Sequence, residues 1–174
     1  MTFGFDIELK EARRIIRVYR EANDAISSLW HAAQDMLKDL HNKSPAKVGR
    51  AGVLRVDVDK TAIILPSGLP MYYHGLFAEI EDNRPQYYYK TRRGPNKIYG
   101  GKVVENVCQA VARCIIGEQM LRIAKKYKVV LTVHDSIVAC VKDEEVAEAQ
   151  AYVEECMRWK PDWADGLPIN CESG

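Results

Sequence analysis

The segment Val129-Val-Leu-Thr-Val-His134-Asp135-Ser136-Ile-Val-Ala-Cys-Val141 constrains this chain most: two β-branched apolar runs enclose a short polar tip. Runs of that length and composition form strands, and a tip this short joins them as a hairpin. The hairpin lifts one carboxylate, Asp135, to the end of an apolar platform. An acid there needs water, a metal or a partner, because burying it unpaired is costly. Asp and Ser are also ordinary turn formers, so the tip alone suits a purely structural turn equally well.

The 174 residues suffice for one ordinary domain with a real core, and 47% hydrophobic content agrees. With 28% charged residues the composition is globular rather than disordered. No apolar run approaches the roughly 18 residues of a membrane span, and no secretory leader pattern follows Met1. The cysteines at 108, 114, 140, 156 and 171 are odd in number and form no C-x-x-C pair. That usage points to a reduced, cytoplasmic compartment without a zinc site.

A net charge of +1 conceals an asymmetry. Between Arg84 and Lys102 stand Arg84, Lys90, Arg92, Arg93, Lys97 and Lys102, with no acid. From Asp143 onward acids dominate, against Arg158 and Lys160 alone. A neutral total with one basic stretch fits a protein that meets a polyanion locally, although solvated surface accounts for many such clusters. Tyr87, Tyr88, Tyr89 and Tyr99 lie in the same stretch and suit either base stacking or ordinary strand packing.

Periodicity gives the element order. Ile15, Tyr19, Ala22, Ile26, Leu29, Trp30, Ala33, Leu37 and Leu40 predict one long amphipathic helix over 6–41, with Lys10, Arg13, Arg17 and Arg20 on a second stripe. Residues 42–52 read as a linker or turn. Strands are predicted over 53–58, 61–65, 69–73, 78–81 and 86–91, with Pro66-Ser67-Gly68 as punctuation. Further helices are predicted over 101–127 and 143–159, one on each side of the hairpin.

On the 101–127 helix, Val103, Val107, Ala110, Val111, Cys114, Ile115 and Leu121 make a broad apolar side. Lys102, Asn106, Gln109 and Arg113 follow at offsets of 4, 7 and 11 and share the other face. All four donate hydrogen bonds and none is acidic. Such a stripe suits the minor groove of a duplex, where every base pair offers acceptors in similar places.

Together, Tyr99-Gly-Gly-Lys-Val-Val-Glu-Asn-Val-Cys-Gln-Ala-Val-Ala-Arg113 and the later Val129-Val-Leu-Thr-Val-His-Asp135 resemble the C-terminal half of family A DNA polymerases, above all their bacteriophage members. Tyr19-Arg-Glu-Ala-Asn23, Leu29-Trp30, Leu65-Pro-Ser-Gly68 and Trp163-Ala-Asp-Gly-Leu-Pro168 extend the resemblance over nearly the whole chain. It implies that His134-Asp135 is the family's motif C, with Asp135 one of two catalytic carboxylates that bind magnesium in a two-metal site. It also implies that Gln109, flanked by Asn106 and Arg113, contacts the primer–template minor groove. The chain departs from the pattern at Ser136, Cys114 and Leu69, where the family usually has Glu, Asp and Arg.

The family's other carboxylate segment and its nucleotide-gripping helix have no counterpart here. Asp57 and Asp59 alternate along a predicted strand, but their neighbours do not match. The expected fold is therefore α+β: a palm-like antiparallel sheet with the motif C hairpin, packed against long helices. Residues 1–42 would be a fingers-side long helix and 43–174 a partial palm. The expected function is part of a DNA-directed DNA polymerase, inactive alone, acting on primer–template DNA and deoxynucleoside triphosphates in the host cytoplasm, with no membrane partner. An exposed apolar surface where the sheet lacks its other half would favour self-association. Two other readings are a non-catalytic DNA-binding or assembly module and, less well supported, a His-Asp metal-dependent phosphohydrolase. The latter needs further His ligands, and His31, His41 and His74 show no ligand spacing.

Overall fold

Apolar periodicity runs unbroken through residues 9–40, yet the backbone does not. The computed structural model describes residues 7–49 and 53–174, and the start of the predicted 6–41 helix, Asp6, lies outside them. Two helices replace the single one: α1 (Leu9–Ala22) and α2 (Asp24–His41). Asn23 stands between them at φ −128° and ψ 53°. Its side-chain Nδ2 and its backbone N–H both donate to the Tyr19 carbonyl, and Asp24 Oδ1 accepts from the Ala25 N–H. Asn and Asp offer the backbone local partners that compete with helix continuation, and here they end one helix and open the next.

The remaining elements are β1 (Lys47–Val48), β2 (Leu54–Asp57), β3 (Ala62–Ile64), β4 (Pro70–Tyr72), β5 (Phe77–Glu81), β6 (Arg84–Thr91) and β7 (Gly94–Ile98). They are followed by α3 (Gly100–Ile123), β8 (Lys128–Val133), β9 (Ser136–Cys140) and α4 (Val146–Arg158), the last preceded by a 3-10 turn at Asp143–Glu145. The fold is thus α+β. Its strands make three sheets rather than one: β1-β2-β3-β4, β5-β6-β7 and the isolated pair β8-β9. β1 falls within the predicted 42–52 linker, of which residues 50–52 are outside the described ones. β7 was hidden in the sequence by Gly94-Pro95-Asn96; it is an edge strand, where a proline leaves no central ladder bond unmade. No helix among the described residues is long and apolar enough to cross a membrane.

The chain divides into two compact units, Met1–Ile63 with Tyr72–Glu105, and Ile64–Met71 with Asn106–Gly174. In the first, α2 buries Ala33, Met36, Leu37 and Leu40, and Tyr73, Tyr87, Ile98 and Val103 are buried as well. Gly100 is indispensable: a Cβ there would fall 2.0 Å from the Trp30 carbonyl oxygen. The Gly100 N–H donates to Gln34 Oε1 at 2.7 Å, pinning the start of α3 to α2.

The β5-β6-β7 meander is held by lateral pairs. Phe77 stacks on Tyr88, Tyr89 meets Tyr73 edge-on, and Tyr87 meets His41 edge-on. The Tyr88 hydroxyl donates to the Glu81 carboxylate, which also accepts from Lys97 Nζ at 3.0 Å. The bond to Glu81 pushes the Tyr88 phenol up to about 12, while the Tyr88 and Lys97 donors hold the Glu81 carboxyl below its ordinary range. The three consecutive tyrosines are therefore strand-packing residues.

In the second unit the core gathers Ile123, Tyr127, Ala149 and Cys156, with Val129, Ile137, Ala139, Val141, Tyr152, Val153 and Met157 packed against them. Gln119 is buried beside this core, its Nε2 donating to the carbonyls of Met157 at 2.6 Å and Trp159 at 2.9 Å. Arg122 lies over the Trp159 ring at 3.6 Å, and the Tyr152 hydroxyl donates to the Arg122 carbonyl. These bonds tie α4 and the residue after it to the last turns of α3. Leu121, predicted on the apolar side, is 64% exposed. It stands two residues from both Gln119 and Ile123, hence about 200° around the axis from the buried row.

Candidate functional site

The hairpin turn is tighter than the three-residue polar tip suggested. Val133 pairs with Ser136, leaving His134 and Asp135 alone as the connection. His134 adopts φ +53°, the left-handed region that tight hairpin turns demand and that His tolerates better than β-branched residues. Ser136 belongs to the ladder. His134 and Asp135 are both exposed at the end of the ribbon.

Below the tip, a β-bulge resets which side chains face the core. Val129 pairs with Ala139, but Leu131 pairs with Val138, so Val130 is the extra residue. Simple alternation would place Val129, Leu131 and Val133 on one face. With the bulge, Val129, Ile137 and Ala139 pack on the core, while Leu131, Val133 and Val138 are each about half exposed. The expected packing of the hairpin on the 101–127 helix is realised through Ile123 at its end, shared with α4 through Ala149 and Cys156. The other face of the hairpin is thus apolar and half exposed.

Asp135 stands without a cluster around it. Among the described residues no group of three or more His, Cys, Asp or Glu comes together in a way that could hold a metal ion. The donors described around Asp135 therefore do not by themselves make up a two-metal site. Asp57 is engaged locally, its carboxylate accepting from the Lys60 N–H and pairing with Lys60 Nζ at 3.6 Å. The histidines have structural neighbours instead of ligand partners: His31 Nδ1 meets the Ser27 carbonyl, His41 meets Asn42 and Tyr87, and His74 stacks on Tyr72.

The polar stripe of α3 divides between the two units, Lys102 in the first and Asn106, Gln109 and Arg113 in the second. Gln109 and Arg113 are exposed; Lys102 and Asn106 are partly buried. Lys102 Nζ donates to both oxygens of Glu105, at 2.9 and 2.8 Å, and this pairing raises the lysine above its ordinary value. The stripe is thus less purely cationic than its spacing suggested. Cys114 Sγ lies 3.2 Å from Ser67 Oγ, which joins the Leu65-Pro-Ser-Gly68 loop to α3 inside the second unit.

One concavity escaped sequence reasoning. A cleft of about 460 Å³ in the first unit is lined by Arg20, Trp30, His31, Gln34, Tyr99 and Gly101, among others. The Gly100-Gly101 pair, which lets α3 approach α2, was its only sequence signal.

No family profile matches the chain, and no solved structure matches it. It is similar to the DNA polymerase of Bacillus phage SP02, at 26% identity over 173 residues, covering 93% of this chain. The chain spans 26% of the length of that relative.

Proposed function

We propose that this chain is part of a template-directed DNA polymerase of the family A, bacteriophage type, with His134-Asp135 as the palm's motif C. Similarity to a phage DNA polymerase along 93% of the chain supports the DNA-polymerase part of this reading, and the sequence motifs quoted above supply its finer part. The exposed carboxylate on a two-residue turn is compatible with it. Asp135 is the proposed ligand to catalytic magnesium, with His134 beside it. Magnesium, when bound, would supply charge stabilisation at the reacting phosphate, and a two-metal site would need carboxylates from two separate segments. A second carboxylate segment must then come from outside these residues, so the isolated chain does not extend a primer. Residues 1–42 are assigned to the fingers side and 43–174 to a partial palm. Asn106, Gln109 and Arg113, with Lys102 held toward Glu105, are assigned to primer–template contact. The half-exposed apolar face of Leu131, Val133 and Val138 is the surface through which the isolated chain would self-associate.

The test is binding of the isolated chain to a primer–template duplex across a salt series. Sequence-independent affinity that falls steeply with salt is expected, because phosphate contacts release counterions. Gln109→Ala should weaken duplex binding and leave the salt slope nearly unchanged. Absence of binding at low salt would remove the DNA-contact assignment. Binding without any response to Gln109→Ala would favour a module that meets DNA by another face.

A further inference from the structure

The two turns of the β5-β6-β7 meander are built differently, and turn chemistry does not account for the two arginines of the second. At the β5–β6 end, Asp82 and Asn83 adopt φ +49° and +58°, the conformation for which Asp and Asn are suited. At the β6–β7 end, Thr91 pairs with Gly94 and the connection is Arg92-Arg93. Thr91 Oγ1 closes this turn, donating to the Gly94 carbonyl at 2.8 Å and accepting from the Arg93 N–H at 3.2 Å. Gly94 takes the positive φ, +114°. Nothing in the turn requires arginine, and neither guanidinium has an ion-pair partner among the described residues. Lys97, by contrast, is neutralised by Glu81.

Beside this tip stands an aromatic pair. Tyr72 and His74 stack with ring centroids 5.1 Å apart and planes 10° from parallel, and both are exposed. The Lys90 N–H donates to the His74 carbonyl at 2.8 Å, so the pair is fixed to the strand leading into the tip. The Lys90 stem runs across Gly75, where a Cβ would meet its Cδ at 2.8 Å. A lysine packed across Gly75, two arginines without an ion-pair partner among the described residues and a stacked aromatic pair bonded to the end of β6 combine the two elements that hold a single strand: cations for phosphates and rings for bases.

The geometry points to the β6–β7 tip as a contact for single-stranded nucleic acid, the phosphates on Arg92, Arg93 and Lys90 and a base on the Tyr72–His74 stack. The contact shares no residue with the α3 stripe or with the His134-Asp135 turn. It rests on the reading that this chain works on DNA.

The experiment is fluorescence anisotropy of the full chain with an oligothymidylate of about 12 nucleotides and, in parallel, with the primer–template duplex. Salt is varied from about 50 to 200 mM. Arg92→Gln/Arg93→Gln should lower the salt slope for the single strand by about 1.4, two phosphate contacts at about 0.7 each. Tyr72→Ala should weaken single-strand binding on the order of tenfold with the slope unchanged, and Arg92→Lys/Arg93→Lys should restore the slope. An unchanged melting temperature checks folding of each variant. A slope indifferent to Arg92→Gln/Arg93→Gln overturns the proposal, as does a loss confined to the duplex. Duplex binding that responds to Gln109→Ala, without any single-strand binding, overturns it and leaves the polymerase reading standing. Failure to bind either DNA overturns the proposal together with the duplex-contact assignment.

Discussion

The β8–β9 hairpin and the β5-β6-β7 meander are both short antiparallel ribbons, but different forces hold them. Among the described residues the hairpin has no third strand, and its order comes from one apolar face laid on Ile123, Tyr127 and α4. The meander is secured sideways, by the Phe77–Tyr88 stack, the Tyr89–Tyr73 contact and the Glu81–Tyr88–Lys97 cluster. A two-stranded ribbon is marginal in water without such backing. The difference teaches that the position of Asp135 depends on helix packing, whereas that of Arg92 and Arg93 depends on strand-to-strand pairs. Deleting core atoms should therefore disturb the first tip, and titrating side chains the second.

The largest effect is expected from Ile123→Ala, which removes a fully buried side chain beneath the hairpin. It should cost about 2–5 kcal/mol and collapse hydrogen-exchange protection of β8 and β9. Retained protection there would break the comparison. Gly100→Ala comes next, because the new methyl would strike the Trp30 carbonyl, a backbone atom that cannot turn aside. About 1–3 kcal/mol of destabilisation is expected on chemical denaturation, and a neutral result would contradict the close approach of α2 and α3.

The meander should respond to pH at both extremes. Glu81 titrates lower when folded than unfolded, so its contribution is present above the unfolded value and is lost as pH falls through the folded one. Tyr88 titrates higher when folded, so its contribution is complete below the ordinary phenol value near 10 and disappears as pH rises through about 12. Tyr88→Phe should abolish the alkaline change in β5–β6 amide signals; an alkaline change that persists would assign it to another group. The Glu81 carboxylate is exposed and Tyr88 only partly covered, so the midpoint is the readout and not a large stability loss. The smallest effect is expected from Asp135→Ala on stability, within about 0.5 kcal/mol, since the side chain is exposed. A large loss in thermal unfolding would make Asp135 a structural turn residue.

Much of this molecule was legible in its sequence because burial imposes a period. The hairpin, α3 and strands β2 to β6 all announced themselves by apolar spacing. What stayed hidden was local. The break at Asn23 rests on side-chain bonds to Tyr19, which apolar spacing does not register. The bulge at Val130 turned Leu131 and Val133 outward although the strand's composition was uniform. Gln119 was masked by its polarity, though it stands four residues from both Ile115 and Ile123 and continues their buried row. Within the candidate site, Asp135 was evident from the tip, but the Lys102–Glu105 pair required side-chain positions.

Nucleotide incorporation with magnesium, in an intact polymerase that carries this segment, tests the central claim most directly. Asp135→Ala should reduce turnover on the order of a thousandfold or more while DNA affinity changes only a few-fold, because the metal-ligand role proposed for Asp135 would act mainly in the transition state. A fully active Asp135→Ala enzyme would contradict the assignment of this hairpin to polymerase chemistry.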